Sequence, residues 1–496
     1  MSTSTVVELS VLHDYEGNSP SWDLSHSNAT TVAGSGGGHD DSKDKDGNIL
    51  PVVDSTTVAE SEEIEMRTRG IISPEEDPEM RLPYMGSLCI ILVLNALLQF
   101  SFFLPVSSSP LYAASLGGDA LFSGITIGIP SLASALVIYP LTKYDERRYT
   151  RPLIVAFTAT ILGNILHAVA SPAKFLYLIL IGRTVSGIGF AMFVWIKQYT
   201  SDPRLIGIRR RTTVATWLVL GQAFAFSAGP FVGGLLYKVG FSNKVFNGFT
   251  SPGWITASFT ALFGILSMCF FRDVPKPHPI LGSAEAASPT LPHPNEYGFR
   301  QLTIPQWGTL FSMCWASMTC FFIVGSWEVN IPIFTAVAFG YSPFAAGNFI
   351  ALGGVATIPF FLANLRYAPR MQDRITLVAG TAIGSTGLLL TLVLLVTDKV
   401  VFGSFYVCWV LVVLGFNLTN TCTNSLLSKQ FPSSWNARTS RAIQYSIWVG
   451  RATGATFGGA GVQIGMKNYI GVQLGIVGIG ALLHLTFWKQ LKAKTG

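Results

Sequence analysis

Charged residues are scarce in this chain. Only 12% of its 496 residues are Asp, Glu, Lys or Arg, whereas 49% are hydrophobic and the mean hydropathy is +0.45. Ordinary soluble domains carry about 25% charged residues, so this composition excludes a typical water-soluble fold. The chain is predicted to be an integral membrane protein.

Residue patterns for catalysis and metal binding are also missing. The six cysteines lie in apolar segments, with no CxxC pair and no Cys/His cluster, which argues against a disulfide framework or a zinc site. There is no Walker-type phosphate loop, no GxSxG elbow and no HExxH motif. We therefore expect no enzymatic activity, no cofactor, no metal and no nucleic-acid partner.

The N-terminal segment differs from the rest in charge. Residues 1–82 hold 17 acidic and 5 basic residues, in runs such as GSGGGHDDSKDKDG, and they lack the basic start and apolar core of a signal peptide. Such a segment has too little apolar surface to offset the entropy of ordering it. It is predicted to be a disordered acidic cytosolic tail.

Long apolar runs make up most of the remaining sequence. A hydrocarbon core about 30 Å thick needs about 20 apolar residues in a helix, and we find segments of this kind throughout. The twelve predicted spans are residues 85–105, 120–141, 152–171, 175–197, 212–237, 253–271, 306–337, 344–365, 375–397, 401–428, 442–464 and 470–488. The predicted fold class is all-α integral membrane, with twelve transmembrane helices.

The longest connection divides these spans into two sets of six. It is rich in proline, and we predict a cytosolic linker (272–303) between an N-terminal half (83–271) and a C-terminal half (304–490), followed by a cytosolic C-terminus (491–496). Pro105 and Pro332 lie in the first span of each half, and similar glycine-rich runs occur in the fifth and eleventh spans. The halves are therefore predicted to be pseudo-symmetric repeats.

Loop charge predicts the orientation. If the N-terminus is cytosolic, the inner loops and C-terminus collect twenty Lys and Arg residues, and the outer loops collect five. Because positive residues accumulate on the cytosolic side, both termini are predicted to be cytosolic. The plasma membrane and a vacuolar or lysosomal membrane both remain open.

Short motifs resemble signatures of the major facilitator superfamily. AFSAGPFVGG, residues 225–234, is similar to its fifth-span antiporter signature, and GRTVSGIG, residues 182–189, is similar to its fourth-span signature, including Arg183. YDERRYTRP, residues 144–152, resembles the inner-loop signature without its glycines and with Glu146 in place of aspartate. The resemblance implies two six-helix halves that carry a small solute by alternating access.

A finer resemblance comes from the second half. Glu328-x-x-x-Pro332, the run GYSPFAAGNFIALGG and Arg451 are similar to a branch containing the lysosomal facilitator linked to ceroid lipofuscinosis and the vacuolar transporters with SPX domains. The residues before the first span show no SPX-like helical pattern, so phosphate is not carried over as substrate. Fungal drug and metabolite exporters are also similar.

Besides Lys197 at the end of its span, three charged residues lie within predicted spans. Glu328 is the only acid placed there, in GSWEVNIP, and Arg183 and Arg451 are each about 13 Å deep at 1.5 Å per residue. A charge near the bilayer centre costs about 3 kcal/mol, so these residues are expected to face a wet cavity or an ionic partner. Glu328 is predicted to respond to protons or substrate; alternatively, it only neutralises a buried arginine. Two arginines with one acid favour an anionic substrate.

Polar residues of the tenth span form a further candidate surface. Asn417, Asn420 and Asn424 fall on one helical face with Thr421, and this face is predicted to line the cavity or to bond a neighbouring helix. Lys197 is a weaker candidate, because it lies near a helix end and can snorkel to the interface.

Two groups of residues are predicted to act in gating. Gly229, Pro230, Gly233 and Gly234, with Gly454 and Gly458 in the second half, allow close helix approach, either to seal the halves or only to pack helices. Glu146, Arg147 and Arg151, with Asp373 and Arg374, form either a cytosolic ion-pair latch or a charge pattern that sets topology.

These observations predict a monomeric, proton-coupled secondary transporter that exports a small solute, an organic anion or metabolite, from a site within the bilayer. The alternatives are an anion channel or a vacuolar or lysosomal anion carrier on the same scaffold. A non-transporting sensor that binds partners through the acidic tail is a third hypothesis.

Overall fold

The computed structural model describes residues 81–143, 148–202, 204–207, 210–273, 302–367, 372–431 and 435–492. Nearly all of the predicted acidic tail and linker, together with Glu146 and Arg147, lie outside these residues. The described chain is helical, with no strand in these ranges.

The helices follow the apolar segments closely. They are α1 (Met85–Phe103), α2 (Ser109–Ser115), α3 (Ala120–Lys143), α4 (Thr150–Val169), α5 (Tyr177–Phe190), α6 (Met192–Ser201), α7 (Arg211–Val239), α8 (Ser251–Phe270), α9 (Ile304–Phe339), α10 (Pro343–Tyr367), α11 (Asp373–Val396), α12 (Phe402–Gln430), α13 (Asn436–Ile464) and α14 (Met466–Thr486). We refer to α1–α8 as the N-terminal half and to α9–α14 as the C-terminal half.

Eleven helical segments of the described chain are long and apolar enough to cross a membrane. The remaining predicted span, 442–464, lies within α13, a helix of 29 residues whose polar and basic side chains reduce its hydropathy. This helix nevertheless packs against α9 and α3 in the bundle. The predicted all-α membrane fold is confirmed.

Proline acts differently in the first helix of each half. α1 ends at Phe103, two residues before Pro105, and the chain turns into the short helix α2. α9 instead continues through Pro332 for a total of 36 residues. Pro105 is followed by Val-Ser-Ser-Ser-Pro, and Pro332 is followed by Ile-Phe-Thr-Ala. Serines and a second proline disfavour a helical continuation, which explains the break in α1.

Glycines allow the closest helix contacts within each half. A Cβ on Gly454 or Gly458 of α13 would overlap the carbonyl oxygen of Phe322 or Ser326 on α9. Gly229 and Gly233 bring α7 in the same way onto the end of α1, at Phe103 and Leu104. These four glycines therefore pack each half against its own first helix.

Close backbone contacts between the halves occur toward one end of the bundle, where α3 and α10 begin and α7 and α13 end. A Cβ on Gly234 of α7 would lie 2.8 Å from the Pro343 oxygen of α10, and one on Gly128 of α3 would lie 2.7 Å from the Ala452 oxygen of α13. Pro230 also takes part, because its carbonyl oxygen faces Gly347. Small residues thus close this end of the interface.

Candidate functional site

A cavity of about 160 Å³ lies between the two halves. The N-terminal half contributes side chains from α1, α3, α5, α6 and α7, and the C-terminal half contributes side chains from α9, α12 and α13. The lining residues are Gln99, Phe102, Ser131, Ser134, Phe190, Phe193, Lys197, Gln222, Phe321, Asn420, Gln444, Ile447, Trp448 and Arg451. Because both halves contribute lining residues, the shape of the cavity changes with any relative movement of the halves.

Glu328 of α9 forms a buried ion pair with Arg451 of α13. The Arg451 Nη2 donates to Glu328 Oε2 at 2.8 Å, and the residues are 8% and 1% exposed. Arg451 lines the cavity, whereas Glu328 lies behind it. The second carboxylate oxygen, Oε1, is buried without a hydrogen-bond partner in the described structure. Glu328 Oε1 is therefore available to bind a proton, or to accept a hydrogen bond from a donor that moves within reach.

Neighbouring residues of GSWEVNIP hold this part of α9 in place. Trp327 donates to Gln473 at 2.9 Å, Ser326 donates to Tyr469 at 2.7 Å, and the Asn330 amide donates to the Gly458 carbonyl at 3.2 Å. These bonds tie α9 to α13 and α14 on both sides of Glu328. The carboxylate is thus presented to Arg451 by a backbone with little freedom to rotate.

Aromatic rings surround the other side of Arg451. Its Cζ lies 4.4 Å from the Phe102 ring centre, 4.8 Å from that of Phe103 and 5.8 Å from that of Phe321. A guanidinium group is attracted to the negative face of an aromatic ring at such distances. Because Phe102 and Phe103 belong to α1, Arg451 links the C-terminal half to the broken end of the first helix.

Arg183 is held by backbone carbonyl groups. It is 3% exposed, and its Nε, Nη1 and Nη2 donate to the carbonyl oxygens of Thr126, Ser101 and Phe102 at 3.3, 3.4 and 3.2 Å. Thr126 and Ser101 each lie four residues before a proline, Pro130 or Pro105, which has no N–H to donate to them. Arg183 therefore satisfies the carbonyls that the two prolines leave free.

This geometry corrects the role expected for Arg183. It is not among the cavity-lining residues, and the partner of Glu328 is Arg451. The proline spacing was visible in the sequence, but only the packing of α5 between α1 and α3 places one guanidinium within reach of both free carbonyls. We refer to Arg183 with its three carbonyl partners as the proline clasp.

The asparagine face of α12 is only partly directed at the cavity. Asn420 lines it, and its Oδ1 is buried without a partner in the described structure. Asn417 instead donates to the Val413 carbonyl of its own helix at 2.8 Å and does not line the cavity. The side chain of Asn424 lies outside the described residues.

Lys197, which we expected to be a weaker candidate, lines the cavity. Its Nζ donates to Gln444 Oε1 of α13 at 2.7 Å, across the interface between the halves. Lys197 is thus a second basic side chain in the cavity lining, besides Arg451. Its position near the end of α6 suggested snorkelling, whereas the structure shows that this end reaches the interface between the halves.

The predicted cytosolic latch is only partly visible. Glu146 and Arg147 lie outside the described residues, and Arg151 is exposed in the first turn of α4. Asp373 begins α11, and Arg374 donates to Gln372 at 2.9 Å while its Cζ lies 4.8 Å from the Trp488 ring centre. The ion-pair latch therefore stays a prediction. Within the described ranges, no group of three or more His, Cys, Asp or Glu residues is arranged to hold a metal ion.

Residues 88–455 match the family model described as Major Facilitator Superfamily. The chain is 30% identical over 431 residues to an uncharacterised MFS-type transporter of Schizosaccharomyces pombe, and the match covers 85% of each protein. It is also 30% identical over 206 residues to an SPX domain-containing membrane protein of Arabidopsis thaliana, covering 41% of this chain and 29% of the plant protein. The resemblance to the superfamily and that to the SPX-type membrane proteins, both expected from the motifs, are thus found.

A D-xylose–proton symporter shares the fold. The two structures align with a TM-score of 0.65 at 14% sequence identity. The alignment covers 83% of this chain and 100% of the symporter chain. At this identity the similarity concerns the architecture of two helical halves around a central site. The architecture agrees with a cavity formed by both halves.

Proposed function

Because the chain belongs to the major facilitator superfamily, we propose that it is a secondary active transporter that moves a small anionic solute by alternating access and couples this movement to protons. The cavity between the halves supports alternating access. In the orientation predicted from loop charge, the contacts of Gly128 with Ala452 and of Gly234 with Pro343 close its outer side. Rocking of the halves would open these contacts and expose the cavity to the other side.

The Glu328–Arg451 pair is the observation that carries proton coupling. A buried carboxylate and guanidinium are stable together, but separating them leaves an uncompensated charge at high cost. A proton taken up by Glu328 removes the carboxylate charge and frees Arg451, which lines the cavity, to bind an anion. When the anion leaves, Arg451 returns to Glu328 and the proton is released.

This cycle favours proton and anion moving in the same direction. It therefore differs from the antiport that the fifth-span motif suggests, although both schemes use the same acid. Lys197 and the unpartnered Asn420 Oδ1 supply a second charge and a polar group for the solute. A cavity of about 160 Å³ fits a small carboxylate or phosphate rather than a large lipid or peptide.

Reconstitution of the full chain into liposomes containing a pH-sensitive dye tests the proposal. Succinate, citrate and inorganic phosphate are the anionic probes, and tetramethylammonium and spermidine are the cationic ones. We expect at least one anion, and neither cation, to move protons into the liposomes. Equal proton movement with cations and anions would contradict an anionic substrate.

Variants then assign the coupling. Glu328→Gln should lose accumulation driven by a pH gradient while keeping exchange of labelled anion, because the amide still bonds Arg451 but cannot titrate. Asp398→Asn, which changes an exposed acid in the loop before α12, is the matched control and should transport normally. Full proton-driven accumulation by Glu328→Gln would refute the role of Glu328. Electrical recording on the same liposomes distinguishes a saturable carrier from an anion channel.

A further inference from the structure

Phe102 lies between the two buried arginines. The Arg451 Cζ is 4.4 Å and the Arg183 Cζ is 5.5 Å from the centre of its ring. The residue is 5% exposed, lines the cavity, and has its own carbonyl bonded to Arg183 at 3.2 Å. Phe103 also contacts Arg451, at 4.8 Å, and its ring packs on those of Phe102 and of Phe226 in α7. Phe102 thus contacts the ion pair through Arg451 and belongs to the proline clasp through its backbone.

We propose that Phe102 is a positioning residue that transmits the state of the Glu328–Arg451 pair to the broken end of α1, and so to the N-terminal half. This inference rests on the proposed proton coupling and extends it across the interface. The Phe102 ring contacts both guanidinium groups, so the position of α1 depends on where Arg451 lies.

The physical reason is competition for Arg451. While Glu328 is ionised, the guanidinium group is held between the carboxylate on one side and the Phe102 ring on the other. Once Glu328 is neutral, its carboxyl group no longer holds Arg451, which moves toward the cavity, and the ring contact changes. Because the Phe102 carbonyl is fixed by Arg183, the ring cannot follow freely, and the end of α1 must shift with it.

No second acid faces this group among the described residues. The charged and titratable side chains around it are His167 of α4, which lies near Arg183, Arg183 of α5, Lys197 of α6, Glu328 of α9, Arg451 of α13 and Tyr469 of α14, whose hydroxyl is bonded by Ser326. Glu328 is the carboxyl group of this set and contacts Arg451 directly, whereas His167 lies near Arg183. A pH-dependent movement of the halves is therefore assigned to Glu328.

Spin labels at the outer ends of the two halves measure this movement without a substrate. Val239 at the end of α7 and Val396 at the end of α11 are 57% and 58% exposed and are replaced by cysteine in a chain lacking its native cysteines. Electron–electron resonance distances are recorded for the full chain in liposomes at about pH 5.5 and about pH 8. We expect the distance distribution to shift between the two pH values.

Phe102→Leu should reduce the pH-dependent population change by about threefold, the size expected from losing one cation–π contact. Phe157→Leu is the matched control, since Phe157 is also 5% exposed but packs on Phe263 of α8, and it should keep the full shift. In a Glu328→Gln background, Phe102→Leu should change nothing further. If Phe102→Leu does not fold, Phe102→Met, of similar volume and without a ring, replaces it.

The outcomes separate the two proposals. If Glu328→Gln keeps the shift, proton coupling through Glu328 fails, and the inference fails with it. If Glu328→Gln loses the shift while Phe102→Leu behaves like Phe157→Leu, only the role of Phe102 is refuted. Additive effects of Phe102→Leu and Glu328→Gln would also refute it, because residues acting through one contact are not additive.

Discussion

The two halves of the molecule each bury one arginine, but they satisfy it in different ways. In the N-terminal half, Arg183 donates to three backbone carbonyls around the ends of α1 and α3. In the C-terminal half, Arg451 donates to the carboxylate of Glu328. A backbone carbonyl does not titrate, whereas a carboxylate does. The proposed coupling therefore requires the C-terminal half to release its arginine, while the N-terminal half is expected to keep its own.

The internal repeat makes this difference informative. The residue matching Glu328 in the first half is Ser101, by the spacing of Pro332 and Pro105, and the residue matching Arg451 is Phe226, by the glycine runs. Ser101 is a partner of Arg183 only through its backbone. The repeat therefore supplies the helix packing, while the ion pair is particular to the second half. Breaking each arginine site separately shows whether this division holds.

The largest effect is expected for Arg451→Ala. It leaves the Glu328 carboxylate buried without a partner, and removing one member of a buried pair costs about 3–5 kcal/mol. Thermal unfolding in detergent should show a marked fall in Tm. The loss should be smaller at acidic pH, because a neutral Glu328 is less costly to bury.

A second substitution checks the cause. Glu328→Gln combined with Arg451→Ala should recover much of the lost stability, since no unpaired charge is left in the interior. A double variant as unstable as Arg451→Ala alone would show that Arg451 stabilises the fold through Phe102 and Phe103 instead.

Arg183→Leu should have the next largest effect. It leaves carbonyls that Pro105 and Pro130 cannot pair, and each unsatisfied buried group costs about 1–3 kcal/mol. In contrast to Arg451→Ala, the fall in Tm should be the same at acidic and neutral pH, because the three carbonyl groups bonded to Arg183 do not titrate. Arg183→Lys keeps the charge but lacks the planar, forked set of donors of an arginine. Its Tm should therefore lie between that of Arg183→Leu and that of the unsubstituted protein. A strong pH dependence would contradict a purely backbone role.

The smallest effects are expected from glycine substitutions that test the shared packing. Gly454→Ala and Gly229→Ala each place a methyl group against the first helix of their own half, and overpacking of this kind costs about 1–3 kcal/mol. Gly478→Ala, in α14 with nothing within 4 Å of its added Cβ, should leave Tm unchanged or raise it slightly. Equal tolerance at all three positions would show that the close contacts do not limit stability.

Much of the fold follows from the sequence because lipid imposes simple rules on it. Length and hydropathy located the spans, and the predicted ends of most helices lie within a few residues of those observed, as for α9 (Ile304–Phe339 against 306–337). The short helix α2 was missed, since a helix of seven residues that includes Pro110 and ends shortly before Gly117 and Gly118 carries little periodic signal. The length of α13 was underestimated because its first turns are polar.

The candidate site was only partly readable. Composition alone identified Glu328, Arg183 and Arg451, because a charge within an apolar run is costly wherever the helices lie. Their partners could not be predicted in this way. Glu328 pairs with Arg451, whereas Arg183 donates to backbone carbonyls. Lys197 lines the cavity although it lies near a helix end. Insertion cost is a property of one helix and its sequence, whereas an ion pair depends on how separate helices cross, which only the tertiary structure decides.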